Sequence, residues 1–163
     1  MKTKRLTLLA VMLAASIVLS IIESFIPVFI PGVKLGLANV VTLIIFYLYG
    51  DKDAFLILIL RIFLVGILVG TIWSPGFYLS LSGGLTAYVM MFLFKHLKVF
   101  SIVGVSIMGA FGHSVGQIAM AIFLIERTEL IFYLPYILVL SVATGVITGI
   151  VSRKSLEIVK KAI

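Results

Sequence analysis

The sequence predicts an all-α integral membrane protein, a bundle of six helices, and three observations support this fold class. Of the 163 residues, 63% are hydrophobic and only 12% are charged. The mean hydropathy of +1.32 is far above that of soluble globular domains. The apolar residues form six long runs, separated by short connections that hold most of the charge. Crossing a bilayer takes about 20 such residues in a helix.

The order of the runs gives the expected elements. The first run follows a basic N-terminal segment and lacks a small-residue cleavage site after a short apolar core. We therefore expect a retained helix over residues 6–26 and not a cleaved signal peptide. The other five helices are expected at residues 35–49, 54–72, 77–94, 102–125 and 130–151. Because no linker or internal repeat is found, residues 1–163 are expected to form a single transmembrane domain.

The positions of lysine and arginine predict the orientation in the cell membrane. Six spans place both termini on one side, and the connections and tails of that side carry ten of the 13 basic residues. The opposite face carries only Lys34 and Arg127. Cytoplasmic loops hold the excess of basic residues, so both termini are expected in the cytoplasm and residues 31–42 at the outer face. The net charge of +7 therefore reflects topology, and no basic face with interleaved aromatics predicts a nucleic-acid partner.

The residue types of enzyme and metal sites are scarce. There is no cysteine, and five of the six acidic residues lie in or beside predicted loops or the C-terminal tail. No carboxylate cluster for Mg²⁺, no buried nucleophile with a base and no phosphate-binding Gly-x-x-x-x-Gly-Lys loop is present. We expect no catalytic activity, no metal and no cofactor, and no transport energised by this chain alone.

Two residues at the outer end of the second predicted helix are candidate ligand contacts. Lys34 immediately precedes that helix as predicted and lies near its first turn, where a cation opposes the helix dipole. It therefore needs an anionic partner, either Glu23 or a ligand. Asn39 lies one turn further along. Trp73, the only tryptophan, is expected at the outer interface, as a residue of the membrane aromatic belt or as a stacking surface for a ligand.

Three further polar residues fall inside predicted spans, where polar side chains are costly and often functional. Arg61 lies too deep in the third helix for easy snorkelling, and we expect it to pair with Asp51, Asp53 or a bound anion. His113 and Gln117 are four residues apart and share one face of the fifth helix. They are either an interhelical hydrogen-bond pair or ligand contacts.

Several segments resemble the membrane family described as heptaprenyl diphosphate synthase component I, also called the Gx transporter family. The resembling residues are 31–39, Arg61, 79–84 and 109–117. This family is similar to the S components of energy-coupling factor (ECF) transporters. The similarity implies six helices, cytoplasmic termini and a ligand held near the outer side. It also implies that Ala10 and Ala14 on the first helix face a transmembrane coupling subunit, which works with ATPases.

Two functions follow from the residues and the resemblance together. The first is an S-component-like transport protein that captures a small, anionic, amphipathic molecule from the outer face, such as a vitamin or an isoprenoid or quinone precursor. The second is a non-catalytic membrane accessory subunit of prenyl diphosphate synthesis. The segment Asp51-Lys52-Asp53 does not match the Asp-rich Mg²⁺ motif of prenyl diphosphate synthases. The expected partners are a small-molecule substrate, membrane lipid and the coupling subunit with its ATPases.

Overall fold

A computed structural model describes residues 2–26 and 34–162 of the chain, and this part is helical and without strands. It contains six α-helices and one 3₁₀ helix, at Thr128–Tyr133. The α-helices are α1 Lys2–Ser24, α2 Asn39–Leu48, α3 Asp51–Leu68, α4 Pro75–His96, α5 Ile102–Ile125 and α6 Leu134–Ala162.

Four helical stretches in the described part are long and apolar enough to cross a membrane. They are α1, α4, α5 and the stretch formed by the 3₁₀ helix with α6. Large apolar side chains such as Phe123 and Val139 are exposed on the outward faces of these helices. Such faces suit a lipid environment better than water. These features are those of a membrane protein, whereas the cytoplasmic location of both termini stays a prediction.

The short helix α2 lies at the centre of the packing. It contacts all five other α-helices. Its side chains Leu43, Ile45 and Phe46 are almost completely buried. Apolar residues of the neighbouring helices, among them Met12, Ala87 and Leu156, pack with them in one core cluster. Because α2 has only ten residues, it is too short to cross about 30 Å of hydrocarbon as a helix.

The expectation that the second helix begins at residue 35 is wrong, because α2 begins at Asn39. Residues 34–38 are non-helical, and Gly36 has a φ of +82°, a conformation that suits glycine. Lys34 therefore does not lie in the first turn of a helix, and the helix-dipole argument for an anionic partner no longer holds. Residues 31–33 of the predicted outer stretch lie outside the described part of the chain.

The ends of the other helices agree with the predicted ends or differ by a few residues, except for the end of the last helix. Polar side chains set two of the starts: Ser74 Oγ accepts a hydrogen bond from the N–H of Phe77 at the start of α4, and Ser101 Oγ accepts from that of Gly104 at the start of α5. α5 covers the same residues as the predicted fifth helix. The last helix does not end near residue 151 but runs on to Ala162.

Ion pairs connect α1, α3 and α4 at the end of the fold that holds the N-terminus of α1. Arg5 pairs with Asp53, and Lys95 Nζ lies 2.6 Å from Asp51 Oδ1. Lys95 Nζ also donates to the carbonyl oxygen of Phe46 at 2.9 Å, which satisfies an acceptor at the end of α2. Both aspartates thus pair with other cations near the start of α3. The expected pairing of Arg61 with Asp51 or Asp53 is wrong.

Glycines allow α5 and α6 to pack in close contact. A Cβ atom added at Gly145 would lie 2.8 Å from the Cα of Ile107, and one at Gly149 would lie 2.8 Å from the Cα of Val103. Both are backbone atoms of α5 and have no rotamer by which to move away. Beside this contact, Ser106 and Thr148 form a buried interhelical hydrogen bond of 2.7 Å. Small residues and hydroxyls of this kind mediate helix packing within membranes.

We expect Gly145→Ala and Gly149→Ala each to lower the free energy of unfolding by about 1–3 kcal/mol, because the added methyl group separates α5 from α6. Unfolding of the purified protein by a denaturing detergent, followed by circular dichroism, measures this loss. Gly76→Ala is the control, since its Cβ atom would meet only Ser74 Oγ, at 3.7 Å. Equal midpoints for all three variants would contradict the close packing.

Candidate functional site

A cavity of about 610 Å³ lies at the end of the fold opposite the ion pairs. The end of α1, residues 34–39, the C-terminal half of α3, the start of α4 and the middle of α5 all line it. Its apolar wall includes Ile62, Val65 and Phe77. Its polar wall includes Ser20, Glu23, Lys34, Asn39, Arg61, Thr71, Ser80 and His113.

Arg61 places a positive charge at the buried side of this cavity. Its side chain is 5% exposed, and Nη2 donates to Oδ1 of Asn39 at 3.4 Å, a long hydrogen bond. Neither Nη1 of Arg61 nor Nδ2 of Asn39 has a hydrogen-bond partner among the described residues. Two buried donors are therefore free at one point of the cavity wall, where unpaired polar groups are costly.

His113 and Gln117 lie side by side on α5, but only His113 lines the cavity. The ring of His113 is 4% exposed; Nδ1 lies against the backbone of Gly83, and neither ring nitrogen has a well-formed hydrogen bond to a described residue. Gln117 is fully buried behind the cavity wall, and its Oε1 accepts a hydrogen bond of 3.1 Å from the backbone N–H of Lys34. His113 and Gln117 do not hydrogen-bond to each other, and Gln117 instead binds the segment that precedes α2.

Gly83 on α4 makes room for both of these side chains. A Cβ atom at this position would lie 2.7 Å from Cγ of Gln117 and 2.9 Å from Cε1 of His113. Such distances are too short for any residue larger than glycine unless these two side chains or the helices shift. Gly83 thus has a packing role beside the cavity.

Glu23 closes the end of α1 onto residues 34–38. Its carboxylate is 3% exposed, and Oε1 accepts hydrogen bonds from the N–H groups of Gly36 and Leu37, the second at 3.0 Å. It also interacts electrostatically with Arg61 and Lys34. Glu23 therefore satisfies two backbone donors of an irregular buried segment and supplies a negative charge inside the cavity.

The ammonium group of Lys34 reaches the cavity from the connection between α1 and α2. Partial burial lowers the pKa of this group from its ordinary value, and the nearby Glu23 carboxylate acts in the opposite direction. No carboxylate of a described residue lies within 4 Å of Lys34 Nζ. Glu23 is thus a neighbour of Lys34 but bonds to backbone N–H groups instead.

The cavity brings together four of the predicted contact residues: Lys34, Asn39, Arg61 and His113. Trp73 is 64% exposed and packs its ring against Phe77 at 5.5 Å between centroids, outside the cavity lining.

The two alanines predicted to meet a partner helix lie away from the cavity. Ala10 and Ala14 are on an exposed face of α1.

Glu23 lines the cavity, but the sequence predicted it only as a partner for Lys34 and not as part of the site. The signal for it was a single carboxylate at the end of a long apolar run. Ser20, Thr71 and Ser80 also line the cavity and carried no distinct sequence signal. Among the described residues, no group of His, Asp or Glu side chains is arranged to hold a metal ion. The chemistry that the geometry offers is hydrogen bonding and charge pairing with a bound molecule.

Apolar outward faces around an internal cavity with one polar wall are features of helical membrane proteins that enclose a polar group. Within that class, residues 12–155 of the chain match the family described as heptaprenyl diphosphate synthase component I, and the chain belongs to this family. No curated protein and no solved structure matches the chain.

Proposed function

We propose that this chain is a membrane substrate-binding protein that holds a small, anionic, amphipathic molecule in the cavity. The observation that carries the proposal is the buried guanidinium of Arg61, which lines the cavity and whose Nη1 has no hydrogen-bond partner among the described residues. A buried charge without full hydrogen bonding costs several kcal/mol, and a bound anion would recover part of that cost. Lys34 adds a second cation on the same cavity.

The shape and lining of the cavity also suit a small amphipathic ligand. Its volume falls within the range of about 300–1,000 Å³ that is usual for ligand pockets. Apolar side chains such as Val65 and Phe77 form one part of the wall, and the donors of Arg61, Asn39 and His113 form another. A molecule with an anionic head and an apolar body would satisfy both parts at once. Capture from the outer face and transport with a coupling subunit and ATPases belong to this proposal.

The description of the family favours a second candidate, a non-catalytic accessory subunit of prenyl diphosphate synthesis. Under this function the protein would bring a separate catalytic subunit to the membrane or bind its substrate or product. Reconstitution of the purified protein in vesicles with a candidate catalytic subunit tests it. We expect a change in product chain length or in rate if this function is correct. Identical products and rates with empty vesicles would eliminate it.

We expect Lys34→Ala to weaken binding of the native ligand about tenfold or more, since a hydrogen bond to a charged group contributes about 1.5–3 kcal/mol. His113→Ala should weaken binding less, because it removes a neutral donor. Mass analysis of small molecules that co-purify with the protein identifies the ligand, and titration of ligand-free protein gives its affinity.

Lys52→Ala is the matched control for these variants. Lys52 is exposed at the start of α3 and does not line the cavity. Unchanged affinity in both Lys34→Ala and His113→Ala would give these residues a structural role only. Absence of any co-purified or bound molecule would reject the binding function and favour a purely structural protein.

We expect the double substitution Ala10→Leu with Ala14→Leu to disrupt association with a coupling subunit, because two larger side chains would prevent close approach of a partner helix to α1. A tagged protein purified from native membranes measures this through the recovered coupling and ATPase subunits, and ligand uptake measures its consequence. Ala143→Leu, on an exposed position of α6, is the control. If wild-type protein recovers no such subunits and the double variant transports normally, the coupled function is wrong.

A further inference from the structure

We propose that the cavity selects an amphipathic monoanion, a molecule with one negative charge on its head group and an apolar body. This inference rests on the proposed binding function and narrows its substrate class. A carboxylate belongs to this class of ligand and a di- or triphosphate does not, whereas the general proposal would allow both. Two features of the cavity support this class: the number of charged side chains in its lining, and the hydrogen-bond donors that lack partners.

The cavity carries one net positive charge. Arg61 and Lys34 are cationic and Glu23 is anionic, and these are the charged side chains in its lining. Histidine has an ordinary pKa of about 6.5, so His113 counts as neutral at pH 7. Residues 27–33, which precede Lys34 in the chain, contain only Pro, Val, Phe, Ile and Gly and therefore add no ionisable side chain.

The Glu23 carboxylate is held within the site. Two backbone N–H groups, of Gly36 and Leu37, bond to it, and Arg61 and Lys34 lie within electrostatic reach. These four interactions offset the cost of burying the charged carboxyl group, and we count Glu23 as anionic. A ligand cannot take over both cations without approaching this carboxylate. A head group with three charges would meet this repulsion and leave excess negative charge buried.

The free donors also match a small anionic group. Arg61 Nη1, Asn39 Nδ2 and an N–H of His113 lack partners among the described residues, and each of these side chains lines the cavity. A carboxylate has two oxygens with about four acceptor positions. These three donors together with the Lys34 ammonium would fill them. The apolar body of the ligand would then lie against Ile62, Val65 and Phe77.

The test measures binding of matched probes to the full chain in lipid nanodiscs, with empty nanodiscs subtracted. Three tails, hexyl, octyl and geranyl, are each presented with a carboxylate, an alcohol and a diphosphate head. We expect the best carboxylate to bind at least tenfold more tightly than the alcohol and the diphosphate of the same tail. Oleate added to the bilayer identifies the source of the ligand: it displaces the probe if the cavity fills from the membrane and leaves it bound if the cavity fills from water.

Glu23→Gln isolates the effect of charge. Its side-chain oxygen can still accept from Gly36 and Leu37, so the connection stays in place while the cavity gains one net positive charge. We expect this variant to bind the diphosphates about tenfold more tightly relative to the carboxylates than the wild type does. Circular dichroism and unfolding midpoints verify that the variant is folded.

The possible failures are distinct. A wild-type preference for the diphosphates, or a Glu23→Gln variant with unchanged head-group preference, would overturn the monoanion class and leave the binding function standing. The class is also overturned if no carboxylate exceeds its own alcohol. Binding of every probe regardless of its head group, unaltered in Lys34→Ala, would instead reject the proposed function itself.

Discussion

The burial of the Arg61 guanidinium is the constraint on which the arrangement of the site depends. A charge removed from water inside apolar protein costs several kcal/mol unless other groups compensate for it. Here the compensation comes from two neighbouring elements: Asn39 at the start of α2 accepts a hydrogen bond, and Glu23 at the end of α1 supplies the opposite charge. The end of α1, the start of α2 and the middle of α3 therefore meet around the Arg61 guanidinium. The compensation is incomplete, since Nη1 of Arg61 has no described partner, and a cavity lies where a further acceptor would fit.

The irregular segment over residues 34–38 follows from the same arrangement. Buried non-helical backbone is stable only where protein groups or water satisfy its N–H and C=O groups. Side chains distant in sequence do so here, because Glu23 accepts from Gly36 and Leu37 and Gln117 accepts from Lys34. Because α2 begins only at Asn39, it is short, but the non-helical segment before it brings the Lys34 side chain to the cavity.

The parts of this fold that the sequence predicts are those set by local chemistry. The length and apolarity of the runs predict helices, and a polar residue such as Arg61 or His113 within such a run is costly enough to be noticed. The predicted start of α2 is wrong because Leu35, Leu37 and Ala38 are apolar and helix-compatible in isolation, while the acceptor that stabilises the non-helical path at Gly36 is Glu23 on another helix. The position of Gln117 behind the cavity wall also depends on a contact between residues 83 positions apart. No local pattern encodes such contacts.

Charged side chains are paired at one end of α1 and incompletely paired at the other. This difference bears on whether the protein has a purely structural role. Arg5 and Glu23 are 18 residues apart in α1, about 27 Å of helix. At the Arg5 end, Asp53 and Asp51 pair directly with Arg5 and Lys95. At the Glu23 end, two cations lie near one carboxylate that backbone N–H groups already engage, and buried donors beside it have no partner among the described residues. A purely structural protein gains nothing from leaving charges uncompensated at one end while pairing them at the other. The incomplete compensation is a cost that a bound anion would reduce in part, which supports the proposal of ligand binding over a structural role.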